Sequence, residues 1–286
     1  MRFSIIIITN NRLELLKNTL YSIENQTFKD FEVIIVDDGS DYIVEDELQS
    51  LHFSFNIVHH RNPEKSGFSK PRNKGIAKAQ GEIIVSVDSD MVLTPDYLKL
   101  YDVKYKEMGR NFAISGYSYY MQEDSVPKNY NIAKFLNDIQ DGKHSYTECD
   151  VRKWYNIIGE EDRWKCFIGN NSSCYLEDAR SINGYNECFA TWGPDDIEFA
   201  YRLQKLLGRR IIMGKELLSY HLWHPKADEQ KKMESFLDNN KIFSQHHPEI
   251  KWCGILPIKH YRKFLEFSNV HVSEHYRALL KEIEES

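Results

Sequence analysis

Two carboxylates separated by one residue, Asp88 and Asp90, follow an apolar run and are the sharpest chemical feature of the sequence. In an extended segment, residues i and i+2 point to the same side, so both carboxylates can face one ligand. Carboxylate oxygens bind Mg²⁺ and Mn²⁺ together with substrate phosphates, and a metal held there would neutralise a leaving diphosphate. A solvated acidic turn is the alternative explanation of so short a motif.

Polar residues also follow two other apolar runs: Thr9-Asn10-Asn11-Arg12 after the first, and Asp37-Asp38-Gly39-Ser40 after the second. Asp37 or Asp38 could accept hydrogen bonds from a base or a ribose. The alternatives are a turn at Asp37–Ser40, a helix cap at Thr9 and a surface cation at Arg12. Arg72-Asn73 is either a donor pair that holds a nucleobase or an exposed helix face.

In the second half, Asp195 and Asp196 lie in the first turn of a helix predicted over 194–208. A carboxylate there is held in place and can act as a general base. The helix dipole lowers its pKa, whereas burial and the neighbouring Asp raise it. A helix-capping acid is the alternative.

His221 and His224 are three residues apart, which would put both on one side of a helical turn and suggests a metal site. A structural histidine is the alternative. Trp192, Tyr220 and Trp223 would form a sugar-stacking wall, or else part of the core.

Apolar runs at 3–9, 31–36, 55–59 and 82–87 predict strands that alternate with helices at 12–24, 44–51 and 69–80. This alternation predicts an α/β fold: a Rossmann-like, mostly parallel sheet with flanking helices, whose ligands bind at the carboxyl ends of the strands. Further strands are expected near 112–120, 167–175 and 211–213. The expected organisation is one domain in two halves, 1–100 and 101–224, and a helical C-terminal extension at 225–286.

The 286 residues carry a formal net charge of -6, which disfavours a nucleic-acid partner. We expect no transmembrane segment and no signal peptide, because the apolar runs are short and the first residues lack an apolar signal core; the five cysteines contain no C-x-x-C pair. We therefore expect a cytoplasmic protein, free or in peripheral contact with the inner face of the membrane.

Four motifs together resemble the family 2 glycosyltransferases of the GT-A fold: the segments at 9–12 and 36–40, the run Gly67-Phe68-Ser69-Lys70-Pro71-Arg72-Asn73-Lys74-Gly75 with its continuation to Glu82, and Asp88-Ser89-Asp90. The resemblance covers residues 3–98 and implies an inverting transferase that uses a nucleotide sugar, usually a UDP-sugar. It implies nucleotide contacts from Thr9, Asn11, Arg12, Asp38 and Arg72, with Asp88 facing the ribose and the metal and Asp90 as the main ligand of Mn²⁺ (or Mg²⁺). We count Asp37 and Ser89 among the nucleotide contacts.

The segment Thr191-Trp192-Gly193-Pro194-Asp195-Asp196 resembles the Trp-Gly-x-Glu-Asp motif of the galactosyltransferase C-terminal region, which chondroitin-type polymerases share. It departs by Pro194 and by Asp195 in place of Glu. The resemblance implies that Asp196 is the catalytic base, that Asp195 contacts the acceptor, and that a metal-binding histidine follows the next strand. His221 fits that position best, with His224 as the alternative.

The sequence thus predicts a glycosyltransferase that moves a sugar from a UDP-sugar, with a small preference for galactose or N-acetylgalactosamine, to a glycan, lipid-linked glycan or glycoprotein. By the two resemblances, the half at 1–100 binds the nucleotide sugar and the half at 101–224 binds the acceptor and supplies the base. The alternatives are a nucleotidyltransferase, disfavoured because residues 9–12 contain no glycine, and a non-catalytic sugar-nucleotide or glycan-binding module.

Overall fold

The computed structural model describes residues 1–123, 125–148, 151–225, 228–255, 257 and 274–285. Its strands are β1 (Phe3–Thr9), β2 (Phe31–Asp38), β3 (Asn56–Asn62), β4 (Ile83–Asp88), β5 (Met91–Leu93), β6 (Phe112–Met121), β7 (Tyr146–Glu148), β8 (Asn171–Tyr175) and β9 (Arg210–His221). Its α-helices are α1 (Leu13–Glu24), α2 (Val44–Gln49), α3 (Ser69–Lys78), α4 (Tyr97–Met108), α5 (Ile132–Gln140), α6 (Leu176–Ser181), α7 (Asp195–Leu207), α8 (Glu229–His246) and α9 (Glu274–Glu285). Short 3₁₀ helices span Lys128–Tyr130, Val151–Trp154 and Glu160–Cys166.

The strands form one sheet in the order β3-β2-β1-β4-β8-β6-β9-β5, and β7 pairs with β6. Strands β3, β2, β1 and β4 are parallel, which confirms the predicted α/β class. The antiparallel β8 joins β4 to β6, so the two halves of the chain share one sheet.

The central strands are buried on both faces, and this explains their continuous apolar sequence. Ile5 and Ile7 of β1 pack in a cluster with residues of α1 and α4. Ile6 points to the opposite face, where a second cluster includes residues of α3, α6 and α7. Alternate side chains of one strand therefore fill two cores.

Several predicted elements differ from those observed. The strand expected over 167–175 is limited to β8, because 167–168 have no regular secondary structure and 169–170 is a turn. The short strand expected at 211–213 is the start of β9, which continues to His221 with an irregularity in its pairing to β6 between Gly116 and Tyr117. The sequence analysis did not predict β5.

The described part of the C-terminal extension contains two helices, α8 and α9, and a non-helical segment at 247–255. Residues 258–273 of the predicted extension lie outside the described residues. Within the described ranges, none of the helices combines the length and the apolar composition that a membrane span requires.

Candidate active site

The carboxyl ends of β1, β2 and β4 lie side by side, as the sequence pattern predicts. Thr9 is paired in register with Asp37, and Ile8 is paired with Asp88. The polar residues that follow these three strands therefore share one edge of the sheet, which we call the rim.

Asp90 is completely buried at the rim and faces two histidines and an arginine. Its Oδ1 atom lies 3.5 Å from Nε2 of His221, and its Oδ2 atom lies 3.3 Å from Nε2 of His224. Nη1 of Arg12 contacts the same Oδ2 atom. One ligand atom from Asp90, one from His221 and one from His224 lie within 4.8 Å of one another. The structure thus brings both candidate histidines to the carboxylate.

Strand pairing brings the histidines to Asp90. β5 follows Asp90 directly and pairs antiparallel with the end of β9, with Met91 opposite His221. The N–H of Leu222 donates to the Asp90 carbonyl over 2.8 Å. His221 ends a strand and His224 lies in an irregular segment, so the helical turn on which the spacing argument relied is absent from this described segment.

Each histidine ring has a neighbour that restrains it. Nδ1 of His224 lies 2.9 Å from the Pro225 carbonyl, to which it can donate, and this contact leaves Nε2 facing Asp90. The His221 ring stacks on Tyr120, with ring centroids 4.8 Å apart. Both rings therefore present Nε2 to the carboxylate, as metal ligands would.

The charges at the rim shift the two carboxylates in opposite directions. Burial would raise the pKa of Asp90, but His221, His224 and Arg12 outweigh it and lower that pKa to about 2. The pKa of Asp88 is raised by burial and by the negative charge of Asp90, and Arg72 only partly offsets this. Asp90 is therefore the carboxylate that stays ionised and available to a cation.

Asp90, His221 and His224, which we call the Asp90 cluster, have the properties of a metal-binding site. The Oδ1 atom of Asp90 is buried without a hydrogen bond from any described residue. An unsatisfied anionic oxygen in the interior is costly, and a cation would satisfy it. Two imidazoles with one carboxylate suit a transition metal such as Mn²⁺ better than Mg²⁺, which prefers oxygen ligands.

Arg72 lies between Asp88, which is next to the Asp90 cluster, and Asp195, which precedes the predicted base. Its Nη1 atom contacts Oδ2 of Asp195, and its Nη2 atom lies 4.0 Å from Oδ1 of Asp88. Its guanidinium lies 5.3 Å from the ring centroid of Tyr185. Burial raises the pKa of Asp195, Arg72 lowers it and Asp196 raises it again, to about 7 in all.

Asp196, the predicted base, is held by backbone N–H groups. Gly169 donates to its Oδ2 atom over 2.7 Å, and Ile197 donates to its Oδ1 atom over 2.8 Å. Its side chain is only partly buried, so a substrate can reach it. Burial raises the pKa of Asp196, although Arg72 and the two N–H donors oppose the rise. A raised pKa makes this carboxylate a better proton acceptor.

Thr9 and Asn11 differ in what they offer a ligand. The Thr9 Oγ1 atom is buried without a hydrogen-bond partner among the described residues, so it has a donor and an acceptor to spare. Asn11 has a left-handed backbone with φ of 56°. Its side chain exchanges hydrogen bonds with Asp41, donating to Oδ2 over 3.0 Å and accepting from the N–H over 2.8 Å.

Asp37 and Asp38 are both buried, and both carboxylates accept hydrogen bonds from other residues of the chain. Oδ1 of Asp37 accepts from the N–H and the hydroxyl of Ser40. The carboxylate of Asp38 accepts from Asn62, from the N–H and hydroxyl of Ser66 and from the N–H of Gly67. In this structure the two carboxylates order the loops beside the rim. Their contacts with a nucleotide remain predictions, as does that of the buried Ser89.

The predicted aromatic wall is divided by burial. Tyr220 is 8% exposed and packs with Val92 and Met121 in a core cluster, so of the two alternatives for this residue the structure favours the core. Trp192 is 46% exposed beside the base segment and can stack on a ligand.

The sequence analysis missed Gly169 and Tyr120, which support Asp196 and His221. The Gly-Asn turn at 169–170 was a signal for the first. For Tyr120 the sequence offered no signal, because its partner His221 lies on β9, which is far from β6 along the chain although the two strands pair.

Comparisons with known proteins agree with this geometry. A family model described as glycosyl transferase family 2 matches residues 4–162, and one described as the N-terminal domain of galactosyltransferase matches residues 155–221. The uncharacterized glycosyltransferase YfnE of Bacillus subtilis (strain 168) is 25% identical in an alignment 259 positions long that covers 79% of this chain and 66% of YfnE. The chain spans just under two thirds of YfnE and a smaller share of other curated relatives.

Two solved structures are similar in fold. S. aureus TarS 1-349 in complex with UDP-GlcNAc superposes with a TM-score of 0.66 at 16% identity, covering 99% of this chain and 79% of that one. The mannosyltransferase PcManGT from Pyrobaculum calidifontis, in complex with GDP-Man and Mn²⁺, gives a TM-score of 0.55 at 16% identity, covering 99% of this chain and 69% of that one. Both likenesses support a GT-A fold.

Proposed function

The chain belongs to glycosyl transferase family 2, and from this premise we propose that it is an inverting, metal-dependent transferase that moves a sugar from a UDP-sugar to a glycan hydroxyl. One observation carries the proposal. The Asp90 cluster and the Asp195–Asp196 segment lie at one rim, linked by Arg72, which contacts Asp195 and lies 4.0 Å from Asp88. An inverting transfer needs these two parts: a cation for the leaving diphosphate and a carboxylate for the acceptor proton.

Asp90, His221 and His224 would hold Mn²⁺, with Asp88 beside them. The metal would supply positive charge to the departing UDP. Arg12 is 40% exposed at its side chain and can turn from Asp90 towards the diphosphate. Thr9, with its unused hydroxyl, is a candidate to contact the nucleotide. Mn²⁺ in the PcManGT complex supports the proposed metal, and the UDP-sugar bound to TarS supports the proposed donor.

Asp196 would take the proton from the acceptor hydroxyl. The N–H groups of Gly169 and Ile197 fix its orientation, and burial raises its pKa, so it is positioned and basic enough for that step. Asp195 is 4% exposed and faces Arg72, so we assign it to holding the segment rather than to a direct acceptor contact. The preference for UDP-galactose or UDP-N-acetylgalactosamine rests on the match at 155–221.

The test compares Asp196→Asn with wild type. Calorimetry measures UDP, GDP and CDP binding with and without Mn²⁺, and a screen of UDP-sugars against glycan acceptors measures transfer. We expect Asp196→Asn to bind UDP and Mn²⁺ as the wild type does and to lose about 10²–10⁴-fold in transfer rate, the usual contribution of a general base. Full transfer by this variant would exclude Asp196 as the base.

Asp178→Asn is the matched control. Asp178 is also a buried helical carboxylate paired with an arginine, and Nε of Arg209 lies 2.8 Å from its Oδ2 atom. It lies in α6, after the antiparallel β8, where the Leu176 N–H bonds the Glu82 carbonyl at the opposite end of β4. We expect the transfer rate of Asp178→Asn to match that of the wild type. If the wild-type protein binds no nucleotide, the transferase proposal fails and a glycan-binding module replaces it.

A further inference from the structure

Helix α8 contacts the segment that precedes the proposed base. The backbone of Thr191, Trp192 and Gly193 leads directly into α7, whose first residues are Asp195 and Asp196. Trp192 keeps 46% of its surface exposed, although its ring lies near Phe236 and Lys232 of α8. This segment, 191–193, is called the base loop below.

Asn239 of α8 donates its side-chain amide to the base loop. It is 2% exposed, and its Nδ2 atom lies 3.3 Å from the Thr191 carbonyl, 3.2 Å from the Thr191 hydroxyl and 3.2 Å from the Trp192 carbonyl. A buried amide whose donors face two consecutive residues of one loop restrains the loop backbone, because each lost bond would leave a buried polar group unsatisfied.

Two further features show that the contact is close. The hydroxyl of Ser235 donates to Oγ1 of Thr191 over 2.8 Å and also contacts the Trp192 carbonyl. A Cβ atom at Gly193 would lie 2.5 Å from Nδ2 of Asn239, so the loop approaches the helix as nearly as glycine allows. The loop backbone is thus restrained by α8 while the Trp192 ring stays exposed.

The far end of α8 is fastened to α7 itself. Nε2 of His247, just past the helix, lies 2.9 Å from Oε1 of Glu198, and Phe243 packs edge-on against Tyr201. Helix α8 therefore runs along both the base loop and the first turns of α7. On the rim side, Arg72 holds Asp195 and Gly169 holds Asp196.

We propose that α8 holds the acceptor side of the site, with Asn239 as a positioning residue that acts on Trp192 and Asp196 through the base-loop backbone. The inference rests on the proposed function of Asp196 and assigns a role to the C-terminal extension. A displacement of about 1 Å at a reacting group can cost about 10²-fold in rate, so loss of these bonds should reach the chemistry.

The test compares Asn239→Ala with Asn240→Ala. Asn240 is the next residue of α8 and is 1% exposed, but its amide bonds the Lys251 carbonyl and the Cys253 N–H, away from the base loop. Both variants remove a buried amide, so melting temperature should fall comparably in both. A third variant, Asn239→Asp, keeps the volume but turns a carboxylate towards two carbonyls.

Three measurements are made on the full chain with UDP and Mn²⁺: UDP binding by calorimetry, hydrogen exchange of peptides covering 190–196, and transfer from UDP-galactose and UDP-N-acetylgalactosamine to p-nitrophenyl glycosides. In both Asn239 variants we expect unchanged UDP affinity, faster exchange in 190–196, a transfer rate at least tenfold lower and a raised acceptor KM with the donor KM unchanged. Asn240→Ala should change neither exchange in 190–196 nor transfer.

Exchange and transfer in Asn239→Ala that match Asn240→Ala would overturn the inference. If no glycoside is accepted, exchange alone decides it: faster exchange supports the restraint, and unchanged exchange refutes it. Failure of the wild type to bind UDP would refute the proposed function instead, so the two failures are distinguishable.

Discussion

Removing Arg72 should destabilise the protein in a way that depends on pH. Arg72→Met deletes the buried guanidinium that contacts Asp195 while keeping most of the side-chain volume. Breaking a buried ion pair by deleting one partner costs about 3–5 kcal/mol, because the other charge remains in the interior. Asp195 can avoid that cost by taking up a proton, and whether it does so depends on pH.

The pKa of Asp195 is raised to about 7 by burial, despite Arg72 and with a further contribution from Asp196, against an ordinary value of 3.8. The folded wild type therefore binds this proton more tightly than the unfolded chain, and its stability falls as pH rises from about 4 to about 7. Arg72 lowers this pKa, so in Arg72→Met it lies higher and stability keeps falling above pH 7.

At pH 6 the carboxyl is mostly protonated in both proteins, and the variant should lose only about 1–2 kcal/mol, from one hydrogen bond and the cation–π contact with Tyr185. Above pH 7 the deficit should grow by at most about 1.4 kcal/mol per pH unit, to about 3–5 kcal/mol at pH 9. Urea unfolding followed by tryptophan fluorescence, in EDTA at pH 6 to 9, measures it. Equal deficits at pH 6 and pH 9 would refute this role of Asp195. Adding Asp195→Asn should remove the part of the pH dependence that Asp195 contributes and leave what Asp88 and Asp196 contribute, because Arg72 also lowers their pKa values.

Three further substitutions test the site and its supports. Asp90→Ala should weaken Mn²⁺ binding by at least about 100-fold in calorimetry, because it removes the buried carboxylate that faces both histidines. Gly67→Ala should cost at least about 2 kcal/mol of unfolding free energy, because φ is +101° and a Cβ would collide with the Ala190 carbonyl. Gly116→Ala should cost about 1–3 kcal/mol in the same denaturation assay, because its Cβ would overlap the Asn171 side chain.

The expectation for Gly67→Ala has two matched comparisons. Gly109→Ala and Gly142→Ala also place a side chain at positive φ, of 75° and 71°, but a Cβ at either would meet no described atom within 4 Å. They should lose less stability than Gly67→Ala, since they add strain without a collision. Equal losses would show that backbone strain alone explains the effect of Gly67→Ala. Unchanged Mn²⁺ affinity in Asp90→Ala would place the metal elsewhere.

The sequence pattern alone was enough to predict which residues meet at the ends of β1, β2 and β4. The apolar runs of β1, β2 and β4 are buried on both faces, and a strand buried on both faces cannot alternate polar with apolar residues. Parallel neighbours end at the same edge, so Thr9, Asp37 and Asp88 were expected together, and the register confirms it. Both ends of α7 could also be predicted from the sequence, because Pro194 precedes the helix and Gly208 follows it.

Only the tertiary structure decided which distant residues meet. His221 and His224 reach Asp90 because β9 pairs with β5, and Asn239 reaches the base loop because α8 packs along α7. The tertiary structure also turned Asp38 towards the loop that follows β3, and Asp195 towards Arg72. Periodicity and capping are properties of a single segment, and the sequence carries them openly. Which strand edges pair, and which helix faces then come together, depends on the free energy of the whole packed chain, to which every segment contributes.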